Sequence, residues 1–393
     1  MKLRVTLAAL ILSLALVPLA RVRPAVADDS GNFMMKLGDD TTSVERYARS
    51  ASKLEVDQVG RSPRVLRRHF VYEYTKGEVS KFSLTVLPPV GSTPVQTIEA
   101  TIGADSLRMQ VKNATGPAQN VSVKTAPGMS VVALSSPWSV YESQIMRLTS
   151  GKKDTLGTAV YFLGAGNTDW LSLKKLGRDS VVLSNTHNDV FHVAVDKSGH
   201  VMGVLPISGT AKFSVQRLAK LDIDAMAANF AARETAGGNM GALSPRDSVK
   251  VMAGGANLWV DYSRPSKRGR AVFGGTLVPY GEVWRTGANA ATQFKTDKDL
   301  VFGSVTVPAG FYTLWTLPTA NGWTLIVNSE TGQWGTQHKP EKDLYKIPMT
   351  VSSLPQVVEK FTISVEPSAQ GGTLNLDWDT TRASAAFAVK PSN

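Results

Sequence analysis

The sequence contains no cysteine, which limits both its chemistry and the ways in which it can be stabilised. Disulfides, thiolate metal sites, a cysteine nucleophile and an acylated lipoprotein cysteine are all excluded. Histidine is scarce, with five residues in a chain of 393. Beyond the first residues, no apolar run approaches the roughly 20 residues of a membrane-spanning helix. We therefore expect packed hydrophobic cores and a soluble mature protein without a transmembrane segment.

The first residues have the pattern of a secretory signal peptide. Two basic residues precede an apolar run from Val5 to Val17, which is too short to span a membrane. Ala25-Val-Ala27 then supplies the small residues that signal peptidase recognises. Residues 1–27 are predicted to be removed, so we expect a periplasmic or secreted protein. Arg21 and Arg23 are unusual before a cleavage site and leave an uncleaved membrane anchor as the alternative.

The chain is basic, with a formal net charge of +11, but the surplus is spread along its length. The densest basic stretch runs from Arg61 to Arg68 and has no interleaved aromatic residues. We expect no nucleic-acid partner, because such a partner favours a basic stripe with aromatic side chains and the chain is predicted to be exported. A solvated surface is predicted for this stretch, with weak contact to anionic lipid or glycan as the alternative. No metal site and no cofactor are predicted.

Short strands with turns between them predict a mostly β protein in two parts. Residues 28–233 are predicted to form an antiparallel meander or half-barrel. Apolar residues at helical spacing after Ser136-Pro137 predict one helix at about 136–149, with Ser136 as its N-cap, packed against the sheet. Residues 234–244 have the composition of a linker. Residues 245–393 alternate strand and turn, which predicts a β-sandwich or jelly roll.

Ordered blocks in the second part resemble a known bacterial family. The most distinctive block is Trp284-Arg-Thr-Gly-Ala-Asn-Ala-Ala-Thr292. The other blocks, in chain order, are Ser244-Pro-Arg-Asp-Ser-Val, Tyr262-Ser-Arg-Pro-Ser, Gly269-Arg270, Phe273-Gly-Gly, Leu277-Val-Pro-Tyr-Gly, Pro308-Ala-Gly-Phe-Tyr, Gly322-Trp323 and Thr331-Gly-Gln-Trp-Gly335. About residues 243–390 are similar to the family known as domain of unknown function 2911. The resemblance implies a β-rich exported domain and no particular activity. The first part is only loosely similar to half-barrel envelope proteins that hold lipophilic molecules.

The standard catalytic and phosphate-binding signatures do not occur in the sequence. His187 and His192 are five residues apart in a predicted strand, so their side chains would point to opposite faces. His187 and Asp189 would share a face, where the carboxylate can orient the imidazole as a base. The plainer interpretation is a surface histidine beside a turn aspartate. His338, in the loop after Trp334, is interpreted in the same way.

The best candidate site is a polar and aromatic cluster in the second part. Its predicted ligand-binding residues are Arg264, Arg270, Trp284, Arg285 and Asn289. Guanidinium groups bind carboxylate or phosphate through paired hydrogen bonds, and an indole offers a flat face to sugars. The competing interpretation is structural. In it, Trp259, Trp315 and Trp378 are core residues, and Arg285 satisfies the carbonyls of the turn that follows it.

Three functions remain open at this point. The first is a non-catalytic binding module for a small anionic, sugar-like or lipophilic ligand. The alternative is an envelope hydrolase acting on glycan or ester, which needs convergent acids, and the acids nearest in sequence are Asp261, Glu282, Asp297 and Asp299. The third is a lipid-handling role for the first part, and a large apolar cavity under the predicted helix would favour it. The partner is thus a small molecule, glycan or lipid, and the oligomeric state is left open.

Overall fold

The computed structural model describes residues 29–126, 128–133, 137–163 and 166–391. The predicted signal peptide, residues 1–27, lies outside the described residues. Within them the protein is mostly β, as predicted, and its strands form two sheets. No helix of this described part is long and apolar enough to cross a membrane.

The N-terminal unit is a meander of fifteen described strands. They are β1 (Asp29–Leu37), β2 (Asp40–Arg49), β3 (Lys53–Gly60), β4 (Leu66–Thr75), β5 (Glu78–Leu87), β6 (Gln96–Ile102), β7 (Ser106–Asn113), β8 (Gln119–Lys124), β9 (Ser130–Ala133), β10 (Thr155–Leu163), β11 (Asn167–Lys175), β12 (Ser180–Asn185), β13 (Val190–Val195), β14 (Val201–Ser208) and β15 (Ser214–Leu218). From β1 to β8 and from β10 to β15, strands adjacent in sequence pair antiparallel. In addition, β1 pairs antiparallel with β15, and β9 pairs parallel with β10. The edges of the sheet are therefore β8 and β9, which confirms the predicted meander.

Period-two alternation gives this sheet its buried face. In β5, for example, Val79, Phe82, Leu84 and Val86 are buried, while the residues between them are partly or fully exposed. A pleated strand sends successive side chains to opposite faces, so one face carries the apolar set. That set and the apolar side of helix α1 (Trp138–Ser150) form one core. The prediction of a helix packed on the meander is confirmed.

The N-terminus of α1 differs from the sequence prediction. The N-cap residue is Pro137, which provides no side-chain hydrogen bond, and Ser136 lies outside the described residues. The capping acceptor comes instead from strand β2. The Glu45 carboxylate accepts bonds from the backbone N–H groups of Trp138 at 2.7 Å and Ser139 at 2.8 Å. These groups would otherwise lack partners, because the first turn of a helix has no intrahelical acceptors for them.

A buried carboxylate, Glu142, fixes the middle of α1 to the sheet. One of its oxygens accepts hydrogen bonds from Tyr47 Oη at 2.6 Å and Arg49 Nη2 at 3.1 Å. The other oxygen accepts from the Val201 backbone N–H at 2.7 Å and from Arg217 Nη2. The Arg217 guanidinium also lies over the Phe33 ring, 4.7 Å from its centroid. Strands β2, β14 and β15 are thus tied to one side chain of the helix, and β1 packs against Arg217.

A second helix, α2 (Ile223–Thr235), covers the other side of the sheet. Asp222 caps it by accepting from the Ala225 N–H at 2.9 Å. Phe230 packs with Val44 and Val59 in a small separate core. The prediction of a solvated basic surface at 61–68 is wrong for Arg61, which is buried with its guanidinium 5.1 Å from the Phe230 ring centroid.

The C-terminal unit is one sheet of nine described strands. They are β16 (Arg246–Ala253), β17 (Ala256–Ser263), β18 (Thr292–Thr296), β19 (Leu300–Phe302), β20 (Val305–Val307), β21 (Gly310–Thr319), β22 (Gly322–Asn328), β23 (Asp343–Ser368) and β24 (Gly371–Val389). Their spatial order is β16-β17-β18-β21-β22-β23-β24-β19-β20.

The long β23–β24 hairpin gives this sheet its two layers. Its register shifts between Ser353 and Val358 and again before Thr362. Beyond these irregularities the hairpin lies against β16 and β17, where Ser368 O accepts from the Gly254 N–H at 3.2 Å. Apolar residues of both layers belong to one core. β-Bulges bend strands and increase their twist, which lets one sheet fold over itself.

Replacing Glu142 with glutamine should lower the free energy of unfolding by about 3–5 kcal/mol, because breaking a buried ion pair leaves its partners charged and uncompensated. The same change at Glu99, an exposed residue of β6, is the matched control and should be close to neutral. Urea unfolding of both variants measures the difference. Equal losses in the two variants would contradict the role given to Glu142.

Glu45 should make stability depend on pH. Burial raises its pKa to about 7 from an ordinary value of 4.5, against the lowering effect of the two N–H bonds. A raised folded-state pKa stabilises the protein below the unfolded pKa, and this stabilisation is lost as pH rises through 7. The unfolding free energy of wild type relative to E45Q should therefore fall by about 3 kcal/mol between pH 4.5 and pH 8. A difference that stays constant over this range, measured by urea unfolding, would refute the assignment.

Candidate functional site: a cavity between the two units

A cavity of about 450 Å³ lies where the N-terminal and C-terminal units meet. Its volume is in the range of small-molecule sites. Most of its lining is apolar, and both units contribute aromatic rings. These are Trp138, Tyr141, Phe162, Phe191 and Phe213 from the N-terminal unit and Trp284, Trp334 and Trp378 from the C-terminal unit. The predicted helix thus does border an apolar cavity, through Trp138 and Tyr141.

Helix α1 positions the aromatic wall of the N-terminal unit. Phe191 and Phe213 stack with their ring centroids 5.0 Å apart. Trp138, in the first turn of α1, meets both rings edge-on at 6.1 and 6.0 Å. Because Glu45 binds the backbone N–H of Trp138, the cap that fixes the helix also fixes this wall.

Trp284 forms part of the opposite wall. It is buried, stacks on Trp378 with centroids 5.9 Å apart, and donates its indole N–H to Gly287 O at 3.0 Å. Its backbone exchanges two hydrogen bonds with Thr316 of β21, at 2.7 and 2.8 Å. Trp284 is therefore both a core residue and a lining residue, with its polar group satisfied inside the protein.

The loop that follows Trp284 begins with Arg285 and contains two residues with positive φ, other than glycine. Thr286 and Asn289 have φ values of +52° and +60°. Positive φ is a genuine outlier for a β-branched residue such as Thr286, and such outliers persist only where the surroundings enforce them. Gly335 lies against the Arg285 side chain, and a Cβ there would collide with Arg285 Cδ.

Arg285 is partly buried and lacks the hydrogen bonds that a guanidinium in such a position normally makes. It lines the cavity and donates no side-chain hydrogen bond or ion pair to any residue of the described part. Its Nε is shielded from solvent and has no partner. Burial lowers its pKa to about 10, opposed by the charge of Asp189. The side chain therefore remains cationic at neutral pH with its hydrogen-bonding capacity unused.

The nearby carboxylate, Asp189, makes its hydrogen bonds to other groups and not to Arg285. Asp189 Oδ1 accepts from the N–H groups of Thr210 and Ala211 at 2.6 and 2.9 Å, and its Oδ2 accepts from Asn185 at 3.2 Å. These bonds hold the turn before β13 to the segment before β15. Asp189 thus attracts Arg285 only at longer range.

Two further cations, Lys212 and Arg270, line the same cavity. Burial lowers the pKa of Lys212, as do the charges of Arg285 and Arg270. The Lys212 amine makes no hydrogen bond or ion pair with a described residue. Arg270 differs, because it donates to the carbonyls of Lys267 at 2.9 Å and Ser266 at 2.5 Å. Three cations therefore share the lining with a single carboxylate, Asp189.

The structure gathers four of the five predicted ligand-binding residues around this cavity, namely Arg270, Trp284, Arg285 and Asn289. Arg264 lies elsewhere, and its guanidinium is fully engaged. It donates to Phe361 O at 3.0 Å, to Asp247 at 2.9 Å and to Thr362 Oγ1 at 2.7 Å.

The sequence of the C-terminal unit matches a known family. Residues 244–387 match the model of a protein family of unknown function, DUF2911. This confirms the resemblance stated above, and the match covers most of the C-terminal unit, including Arg270 and Arg285. No curated protein matches the chain.

Two solved structures show remote similarity. One is the crystal structure of a β-barrel-like protein of the domain of unknown function DUF1849 from Brucella abortus, with 8% identity, a TM-score of 0.33, and coverage of 48% of this chain and 94% of that one. The other was reported for the ganglioside-dependent cell entry of botulinum neurotoxin type C, with 8% identity, a TM-score of 0.11, and coverage of 93% and 88%. Similarity at this level does not bear on function.

The interpretation of three tryptophans in the DUF2911 region is partly wrong. Trp315 and Trp378 are buried core residues, as predicted. Trp259 is only half-buried and lies beside the exposed Phe311, with ring centroids 6.0 Å apart. The alternation that buries Val260 places Trp259 on the outer face of the sheet.

The prediction that His187 lies in a strand is wrong, whereas a partly exposed histidine in a turn agrees with the plainer interpretation. This residue lies in the turn between β12 and β13 rather than in a strand, and its Nδ1 pairs with Asp169 Oδ2 at 3.0 Å. Asp169 also accepts from Thr186, and these bonds lower its pKa despite burial. Among the described histidines, His69, His200 and His338 form similar pairs with aspartates. Such a pair is therefore common in this protein and does not mark an active site.

The four acids considered for a hydrolase do not line the cavity. Asp261 pairs with Arg246 at 2.6 Å, and Asp297 accepts from Asn257 at 2.6 Å. Asp299 accepts from the Ala309 N–H at 3.0 Å. Glu282 is exposed.

Lys212 and the aromatic wall of the N-terminal unit were missed by the sequence prediction. Lys212 follows Ala211 in the segment before β15, with no motif around it. Its relation to Arg285 exists only because the two units meet. No local pattern in the sequence marks that contact.

Arg285 and Arg264 provide a matched test of which arginine is structural. R264M removes three hydrogen bonds and should lower the free energy of unfolding by at least about 2 kcal/mol. R285M replaces an unpaired, partly buried cation with an apolar side chain of similar length, so stability should stay within about 1 kcal/mol of wild type or rise. Urea unfolding compares the two, and a loss in R285M as large as that in R264M would show that Arg285 is structural.

Proposed function

We propose that this is an exported, non-catalytic protein that binds an anionic amphiphile, such as a fatty acid or a lipid phosphate, in the cavity between its two units. The observation that carries the proposal is Arg285, a partly buried guanidinium that lines the cavity and has no hydrogen-bond partner in the described part of the chain. A buried polar group left unsatisfied is costly, and a ligand that supplies acceptors removes that cost.

The charge of the lining favours an anion. Lys212 and Arg285 both face the cavity without ion-pair partners, and Asp189 is held by the turn that it stabilises. A carboxylate or phosphate can accept paired hydrogen bonds from Arg285, and such charge-assisted bonds are about twice as strong as neutral ones.

The remainder of the lining favours an apolar tail. Phe162, Leu171, Leu183 and Phe191 of the N-terminal unit line the cavity with no charged side chain among them. A small hydrophilic anion would leave this wall uncovered, whereas an acyl chain would remove it from water at roughly 25 cal/mol for each Å² buried. The cationic residues and the apolar wall together select an amphiphile over a free anion or a sugar.

Export is part of the proposal and has its own support. The basic start, the short apolar run and the Ala25-Val-Ala27 site form the pattern of a signal peptide. The absence of cysteine is compatible with an oxidising compartment, since no thiol is available for unwanted pairing.

The binding test uses the fluorescence of cis-parinaric acid with the purified protein. We expect saturable binding, displacement by dodecanoate, weaker displacement by dodecanol, and no displacement by acetate. In the double variant R285M/K212M, affinity for parinaric acid should fall at least tenfold, which corresponds to about 1.4 kcal/mol. The preference for dodecanoate over dodecanol should disappear as well.

The control variant K112M/K124M removes the same charge from exposed strands of the N-terminal unit and should bind like wild type. Equal weakening in both double variants would refute the proposal, because it would reduce the effect to net charge. Efficient displacement by acetate would also refute it, since the site would then accept an anion without a tail.

A further inference from the structure

A second unusual surface lies on the outer face of the C-terminal sheet, away from the cavity lining. Strand pairing places four side chains in one row across β16, β17, β18 and β21. Lys250 pairs with Trp259, Trp259 pairs with Lys295, and Lys295 pairs with Phe311. Cationic and aromatic residues therefore alternate across four neighbouring strands. We call this row, together with Met252, the lysine–aromatic face.

The apolar members of this face are more exposed than is usual for their type. Met252 is 65% exposed and Phe311 is 45% exposed, although both lie within regular strands. Trp259 lies between them, with its ring 6.0 Å from that of Phe311. The three side chains border one shallow groove with Lys250 and Lys295. Contiguous exposed apolar side chains mark a surface that interacts with a membrane or with another protein.

The lysines of this face are not used within the protein. Neither Lys250 nor Lys295 makes a hydrogen bond or ion pair with any residue in the described ranges. The nearest carboxylate in the groove, Asp297, is occupied by Asn257, which donates to it through both its backbone N–H at 2.7 Å and its side chain at 2.6 Å. The face thus presents uncompensated positive charge beside apolar side chains.

We infer that the lysine–aromatic face binds to the surface of an anionic lipid bilayer. Tryptophan and phenylalanine are suited to the interfacial region of a membrane, and methionine can insert among the acyl chains. Lysines can extend their ammonium groups to lipid phosphates while their methylene stems lie along the apolar surface. The inference is independent of the cavity function, because none of these residues lines the cavity.

A membrane surface fits this face better than a glycan does. The most exposed apolar side chain of this face is Met252, which has no flat ring for a sugar to stack on. The polar residues available to sugar hydroxyl groups, Asn257 and Asp297, are already hydrogen-bonded to each other. Apolar side chains that project beyond the sheet gain most from insertion into lipid.

Vesicle co-sedimentation tests the inference with the purified chain. Wild type should bind vesicles made of equal parts of phosphatidylglycerol and phosphatidylcholine and should not bind vesicles of phosphatidylcholine alone. K250Q/K295Q should reduce the partition coefficient roughly thirtyfold, given the usual contribution of each lysine near an anionic surface. M252S/F311S should reduce binding as well, including at low salt. Brominated lipid should quench Trp259 fluorescence, and W259F should lose that part of the quenching.

The matched control is K112Q/K124Q, which removes two lysines from the N-terminal unit and should keep wild-type binding. A loss as large in this control would overturn the inference, because attraction would then follow net charge alone. Binding that is unaffected by M252S/F311S but is competed by soluble heparin would also overturn it in favour of an acidic glycan. If wild type does not bind the anionic vesicles, the inference is refuted.

Discussion

The interaction on which the rest of the structure depends is the buried contact between Glu142 of α1 and the strands around it. A charged carboxylate inside a core is tolerated only when it is well bonded, and here four donors from three strands, β2, β14 and β15, meet it. Gly31 makes the arrangement possible, because a Cβ at that position would collide with Arg217. Together with the Glu45 cap, this contact sets where Trp138 lies and hence where the cavity wall lies.

The cavity shows how two β units create a site that neither contains alone. The N-terminal unit contributes aromatic rings and Lys212, while the DUF2911 region contributes Arg285 on a strained loop. The units also touch beside the cavity, where Thr336 donates to His187 O at 2.7 Å, and Arg268 pairs with Asp40. Gly335 leaves room for the Arg285 side chain, since a Cβ at that position would collide with it. In the proposed function, an arginine whose position is already set loses less side-chain entropy when the ligand binds.

The outer face of the C-terminal sheet follows a different physical rule. Within the core of the unit, alternation sends Leu258, Val260 and Phe294 inward, and the same period sends Trp259 and Lys295 outward. The side chains that point inward form the core of the unit. The side chains that point outward are not needed for that core and can contact another surface. Apolar residues at such positions contribute little to folding, and their presence there is better explained by contact with another surface.

The sequence by itself determined the mostly β class, the meander, the helix on it, the DUF2911 region and four of the residues that meet at the cavity. These follow from local rules, namely period-two alternation, turn residues and ordered motif blocks. Only the tertiary structure decided that Arg285 is unsatisfied while Arg264 is fully bonded, that Glu45 rather than Ser136 supplies the helix cap, and that Lys212 joins the site. Each of these depends on partners far apart in the chain, and hydrogen bonding and burial at that range leave no local pattern in a single sequence.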